Sequence, residues 1–147
     1  MNVRKQIPVT ITEITEGRHN LKEFVFEAKA LVHADLCFGY TFYLEGKKIS
    51  YCTDTGKCDS IVELGKDADL LITECAWKER NEQPGWPHLA PEDAAEMALK
   101  SNAKMLALTH FDANRYLTIE SRKTAETRAR KIFKHTTATS DNYNIDI

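Results

Sequence analysis

Four side chains able to hold a cation or move a proton stand at the ends of segments. Asp54 follows the run Ile49-Ser50-Tyr51-Cys52, Glu74 follows Leu70-Leu71-Ile72, His110 follows Leu106-Ala107-Leu108-Thr109, and His88 lies just before a helix signal at Pro91. In an open sheet the strand ends are where loops converge and ligands bind. Asp54, His88 and His110 are therefore expected at one edge, as a carboxylate and imidazole set that suits zinc or manganese better than a thiolate site does. The cysteines, Cys37, Cys52, Cys58 and Cys75, contain no C-x-x-C pair, which excludes a zinc ribbon or a thioredoxin-like centre and leaves reduced thiols without a role as the expectation. Each candidate also has a plainer use. An Asp before Thr-Gly forms turns by accepting the next backbone amides, and a His after a buried strand serves as a hydrogen-bonded structural residue. His19 and His135 lie near turns and are expected to face solvent.

The frame that must position these groups reads in two parts. Val9 to Thr15 and Glu23 to Val32 alternate apolar and polar residues, as half-buried strands do, around the turn-rich stretch 16–20. Phe38 to Leu44 and Lys48 to Cys52 flank Glu45-Gly46-Lys47, the pattern of a β-hairpin. After Asp54-Thr55-Gly56 the period changes. Ile61, Val62 and Leu64 fit a short helix, and Asp69 to Thr73 is a continuous apolar run of the kind covered on both faces. Pro91, with Glu92 and Asp93 behind it, opens a helix with an apolar face of Ala94, Ala95, Met97 and Ala98. Lys104 to Thr109 is a buried strand, Thr118 to Phe133 a charged helix, and Thr136 to Ser140 with Tyr143 to Ile147 a last strand or hairpin. Trp77 to Pro87 is expected to be a long loop.

A chain of 147 residues reads as a single domain able to build its own core. Lys and Arg total 20 against 22 Asp and Glu, which excludes a strongly basic polyanion-coating protein. No apolar run approaches the ~18 residues of a membrane span, and the N-terminal stretch lacks the apolar region of a secretory signal. The expected compartment is the cytoplasm, with no membrane partner.

From Phe38 onward the ordered motifs resemble the C-terminal half of the metallo-β-lactamase-fold hydrolases, in particular the ribonuclease Z-like branch. Gly39-Tyr40-Thr41-Phe42 with Gly46-Lys47-Lys48-Ile49 is similar to that family's hairpin, and Tyr51-Cys52-Thr53-Asp54-Thr55-Gly56 to its "YsGDTG" motif. Asp69 to Cys75 resembles "aDLLIhEa", His88 to Ala95 resembles "HltpeeAA", and Leu108-Thr109-His110-Phe111 through Arg115-Tyr116 resembles "LTHFspRY". The resemblance implies an α/β (α+β) metallo-β-lactamase-like αββα sandwich, of which residues 1–147 supply about one half: an antiparallel and mixed sheet with helices on one face. It implies a metal-dependent hydrolase, a phosphodiesterase of ribonuclease Z type using a two-metal-activated water. Carried over by position, Asp54 is the carboxylate bridging two metal ions and His110 a terminal ligand. His88 is the group that protonates the leaving oxygen, and Arg115 a phosphate contact. The cofactor implied is a divalent metal, zinc first and manganese second, and the substrate RNA or a small phosphodiester.

Departures accompany the matches. Thr53 and Thr73 stand where the family has Gly and often His, and Asp112-Ala113-Asn114 is one residue longer than the usual spacer before Arg-Tyr. The family's H-x-H-x-D-H motif does not occur in the sequence, and the separate histidine that follows it is likewise expected in an N-terminal half. A catalytic zinc takes three protein ligands, so Asp54 and His110 by themselves are too few to bind it well. The missing half of the sandwich would also leave bare the inner face carrying part of Phe24, Phe26, Phe38, Tyr40, Phe42 and Ile49, and a bare apolar face of that size marks an interface. The expected partner is a second copy of the chain or an N-terminal partner half. Two other readings carry different tests. Asp54-Thr55-Gly56 is also the triplet of aspartic proteases, which requires an all-β body. A non-catalytic interaction or RNA-binding fragment would use Arg115, Arg122, Lys123, Arg128, Arg130 and Lys131 on phosphates.

Overall fold

The computed structural model describes residues 9–22, 24–83 and 85–147. Seven strands form one sheet in sequence order. β1 (Gly17–Leu21), β2 (Phe24–Ala30), β3 (Phe38–Leu44) and β4 (Lys47–Cys52) pair antiparallel. β5 (Leu70–Glu74), β6 (Leu106–Thr109) and β7 (Thr136–Ala138) continue the sheet in parallel from β4. The β3–β4 hairpin closes through Glu45 and Gly46, both left-handed at φ 50° and 77°, the backbone that a two-residue turn needs to match strand twist.

Each parallel step needs a crossover, and these are α1 (Asp59–Gly65), α2 (Pro91–Ser101) and α3 (Ile119–Ala129). Right-handed crossovers that advance always in the same direction put every helix on the same face of the sheet. Ile61, Leu64, Leu71, Leu89, Leu106 and Leu108 form the core between helices and sheet. Two of its polar members share one acceptor: Thr41 Oγ1 and Ser50 Oγ both donate to the Leu64 carbonyl, at 2.9 and 2.7 Å. α2 starts at Pro91 with Glu92 and Asp93 in its first turn and stops at Asn102, which is left-handed at φ 55°. α3 is capped by Thr118, whose side chain accepts the Ser121 amide at 3.2 Å.

The other face of the sheet is aromatic. Side chains alternate along a strand, so with Thr41 toward α1, Tyr40 and Phe42 point away from the helices. Phe26 lies opposite Phe42, with Ile49 on its far side, and Tyr40 lies opposite Tyr51. Phe24, Phe26, Tyr40 and Phe42 have ring centroids about 6 Å apart, and Tyr51 is 43% exposed. The sheet is thus covered by helices on one face and aromatic on the other.

The ends of the chain differ from expectation. Val9 to Thr15 forms no strand, and Val9 and Ile11 are largely exposed. The first strand instead takes up the stretch expected as a turn, because His19 stacks on Phe26 at 4.9 Å and Arg18 covers Tyr43. A histidine acting as an aromatic residue replaced the aliphatic alternation, so His19 is half-buried. Glu23, at the start of the second expected strand, lies outside the described residues. Tyr143 to Ile147 adds no strand. No helix of the described residues is long and apolar enough to cross a membrane.

Candidate metal centre

The loops after β4, β5 and β6 open at one edge of the sheet. There Asp54, Glu74, His88 and His110 each offer a ligand atom within 4.8 Å of the others. Asp54 and His110 are both left-handed, at φ 61° and 50°. For a residue with a Cβ that conformation costs roughly 1–2 kcal/mol, and such residues collect at functional sites, where the surrounding structure enforces them.

The four groups are not equivalent. Glu74 is fully buried, and its carboxylate is saturated by the protein. Oε1 accepts the Thr55 amide and faces His88 Nδ1 at 2.9 Å, while Oε2 accepts the Leu89 amide at 3.2 Å and the Ala76 amide at 3.3 Å. No lone pair is left for a cation, so Glu74 is a positioning group. It occupies His88 Nδ1 and leaves Nε2 as the free ring nitrogen of a side chain only 9% exposed. Asp54, by contrast, is 41% exposed, and its Oδ1 lies 3.1 Å from His33 Nε2 and 3.8 Å from His88 Nδ1. The donors that fit a divalent cation are therefore Asp54 and His110, with imidazole nitrogens of His33 and His88 beside them. This is an oxygen and nitrogen set suited to zinc or manganese.

His33 escaped the sequence reading. It follows β2, and because β2 and β3, then β3 and β4, pair antiparallel, the end of β2 lies on the same edge as the end of β4. That topology was the available signal. The two loops are tied: Val32 N donates to Thr55 Oγ1 at 3.2 Å and Gly56 N to the Val32 carbonyl at 2.8 Å. On its other side Gly56 touches the segment carrying His88, since a Cβ on Gly56 would sit 2.7 Å from Pro87 Cβ. Gly56→Ala is expected to displace Pro87 and separate the Asp54 and His88 loops. The variant should lose about 1–3 kcal/mol in denaturant unfolding, the range for overpacking, whereas Gly46→Ala, with nothing within 4 Å, tests the cost of a left-handed turn alone. A native-like midpoint for Gly56→Ala would rule out the close approach.

Arg115 sits behind the centre. Its guanidinium lies 4.0 Å over the Trp77 ring and pairs with Glu82 at 2.8 Å and Asp112 at 2.5 Å, and Trp77 meets His88 edge-on at 5.0 Å. Tyr116 adds a hydrogen bond from its hydroxyl to the Trp77 carbonyl at 2.8 Å. The loop of residues 77–87 is thus clasped at its root, and Arg115 supports Trp77. Two of the basic residues in and after α3 are also engaged: Arg128 pairs with Glu79 and Glu92, and Arg130, at the helix C-cap, with Glu126. Cys75 is buried and its thiol pushed up to about 12, chiefly by desolvation, so it stays protonated and inert. The three crossover helices exclude the all-β body of an aspartic protease.

Comparison with known proteins agrees with this architecture. Residues 2–111 match the family model described as beta-lactamase superfamily domain. Ribonuclease Z of Acaryochloris marina is 37% identical over 106 residues, which cover 69% of this chain and 33% of that protein. Human tRNase Z, short form, superposes with a TM-score of 0.63 at 28% identity, covering 88% of this chain and 45% of that one. The metallo-beta-lactamase fold protein YhfI from Bacillus subtilis superposes with a TM-score of 0.76 at 18% identity, covering 90% and 54% respectively, and shows the fold alone. The chain thus spans about a third of the ribonuclease Z it matches and about half of each of these two solved structures. By the family model over residues 2–111 and by these likenesses, the chain belongs to the beta-lactamase superfamily and to its ribonuclease Z-like branch.

Proposed function

We propose that this chain is the C-terminal half of a metal-dependent phosphodiesterase of ribonuclease Z type. The observation that carries the reading is the convergence of Asp54, His88 and His110, with a saturated carboxylate holding His88 in place. A divalent cation held by Asp54 and His110, zinc first and manganese second, would supply Lewis-acid polarisation and an activated water. The chain's own residues do the rest. Glu74 fixes the His88 ring through Nδ1, so Nε2 is the nitrogen that delivers a proton to the departing oxygen. Trp77 packs against one edge of His88 and limits its rotation, and Arg115 holds Trp77. Arg115 supports phosphate binding only by releasing its ion pairs, which makes its contribution to substrate contact secondary to its hold on the loop.

The donor set is short for two metals, and the aromatic sheet face is what a second sheet would cover. Both are supplied by one addition, an N-terminal partner half; a second copy of the chain is the other arrangement. RNA and small phosphodiesters are the substrate classes. The test is hydrolysis of bis(4-nitrophenyl) phosphate and of 3′-extended RNA by the full chain with zinc or manganese, alone and with an upstream ribonuclease Z half supplied in trans. Metal-dependent turnover is expected, and His88→Ala should lower kcat about 100-fold with metal content unchanged by elemental analysis. Absence of turnover in every combination, or activity indifferent to chelators, would overturn the assignment.

A further inference from the structure

A cleft of about 460 Å³ opens beside His88, walled by Trp86, Pro87, Asn81, Gln83, Lys57 and Arg80. That volume is in the range of small-molecule sites. Its charges cancel internally. Lys57 pairs with Asp93 at 2.7 Å and with Glu96 at 3.2 Å, and Arg80 pairs with the same two carboxylates at 3.4 and 2.5 Å. Two cations shared between two carboxylates leave little field for a phosphate chain. An aromatic wall and two side-chain amides remain.

Of the two tryptophans at the cleft, Trp77 is spent: it is 3% exposed, carries Arg115 on its ring and faces His88 edge-on. Trp86 is 48% exposed, its backbone amide donates to the Gln83 carbonyl at 3.1 Å, and its ring centre is 6.2 Å from that of His88. A half-exposed indole held beside the His88 imidazole has the chemistry of a stacking platform.

We propose that this cleft is the subsite for a nucleobase, the planar heteroaromatic ring of the nucleoside whose oxygen His88 protonates. Trp86 stacks the base, and the Asn81 and Gln83 amides meet its polar edge, each offering both a donor and an acceptor. The internally neutral charge square favours the base over additional phosphates. Because stacking uses the π face that every base has, the subsite tolerates base identity better than it tolerates loss of the base. This inference rests on the phosphodiesterase reading for its biological sense, but its test does not need turnover.

The full chain in EDTA is titrated with AMP and, as the base-less control, with ribose 5-phosphate, following the two indole N–H resonances by NMR. AMP should shift one indole signal strongly, the one missing from Trp86→Phe, while ribose 5-phosphate shifts neither at the same concentration. Trp86→Ala should weaken AMP on the order of tenfold, and Trp86→Phe should retain most of the affinity. Trp86 is half outside the fold, so both variants should keep the parent circular dichroism. Equal binding of AMP and ribose 5-phosphate, or AMP affinity unchanged in Trp86→Ala, overturns the subsite. If the AMP contrast holds while no metal-dependent hydrolysis is found, the phosphodiesterase reading falls and the base subsite stands. Hydrolysis without the AMP contrast does the reverse.

Discussion

Glu74→Ala should cost the fold about 3–5 kcal/mol, because it strands three buried backbone amides whose loss of an acceptor costs about 1–3 kcal/mol each. The expectation follows from what the carboxylate touches. Three backbone amides, from Thr55, Ala76 and Leu89, donate to it, and His88 Nδ1 lies 2.9 Å away. Those donors belong to three different segments at the sheet edge, and the alanine variant leaves them buried without acceptors, where each loss costs about 1–3 kcal/mol if water does not enter. A domain of this size has roughly 5–15 kcal/mol in total, so the variant should be marginal near body temperature. Chemical denaturation followed by far-UV circular dichroism reads the difference. Glu13→Ala, at an exposed carboxylate, is the control and should change the midpoint little. Glu74→Gln separates shape from charge: it fills the same volume but turns an NH2 toward backbone N–H groups, so it should recover only part of the loss. If Glu74→Ala unfolds like Glu13→Ala, the carboxylate does not hold the three segments together and the geometry assigned to His88 loses its support.

The same residue shows how far the sequence could be read. That Glu74 ends a buried strand was legible from Leu70-Leu71-Ile72, and Asp54 and His110 were legible as strand-end donors from the same logic. The division of labour among them was not. A carboxylate that binds metal and one that only collects amides look alike until the amides are placed: Thr55 comes beside Glu74 through the parallel pairing of β4 and β5, and Leu89 returns to Ala76 through a loop closed by the Trp77 amide on the Leu89 carbonyl at 3.1 Å. His33 was missed for a related reason, since its neighbours identify no motif and only the double antiparallel turn from β2 to β4 brings it to Asp54. Arg115 was readable as a cation near the site, but its ion pairs with Glu82 and Asp112 come from the folding of a loop without periodicity. The parallel half of the sheet was transparent because long apolar runs and a Pro-initiated helix leave few alternatives. The first strand was obscured because His19 and Arg18 do by stacking what the sequence pattern assigns to Val and Ile.

Asp54→Asn should have nearly the opposite phenotype to Glu74→Ala: a fold close to the parent without metal, and loss of the stabilisation that metal confers. Asp54 is 41% exposed and its contacts are imidazoles rather than buried amides, so neutralising it strands no backbone donor. Asn also tolerates the φ of 61° at this position better than other uncharged side chains do. What the substitution removes is the negative charge in the donor set. Loss of an outer-shell group costs 10–100-fold in metal affinity, and a direct carboxylate ligand should cost more than about 100-fold. For the parent, zinc at 100 times its dissociation constant adds about 2.7 kcal/mol to unfolding stability. At that same zinc concentration Asp54→Asn would be at or below half-saturation and should gain no more than about 0.4 kcal/mol. Thermal unfolding with and without zinc, backed by competition against a chromophoric chelator, measures both quantities. His110→Ala should reduce the metal-dependent increment in the same way, while Glu74→Ala lowers the metal-free baseline. Two carboxylates at one sheet edge would then separate along two axes, one in the folding of the polypeptide and the other in its hold on a cation. A zinc-induced shift in Asp54→Asn equal to the parent's would remove this carboxylate from the metal centre and leave it the role of a turn former.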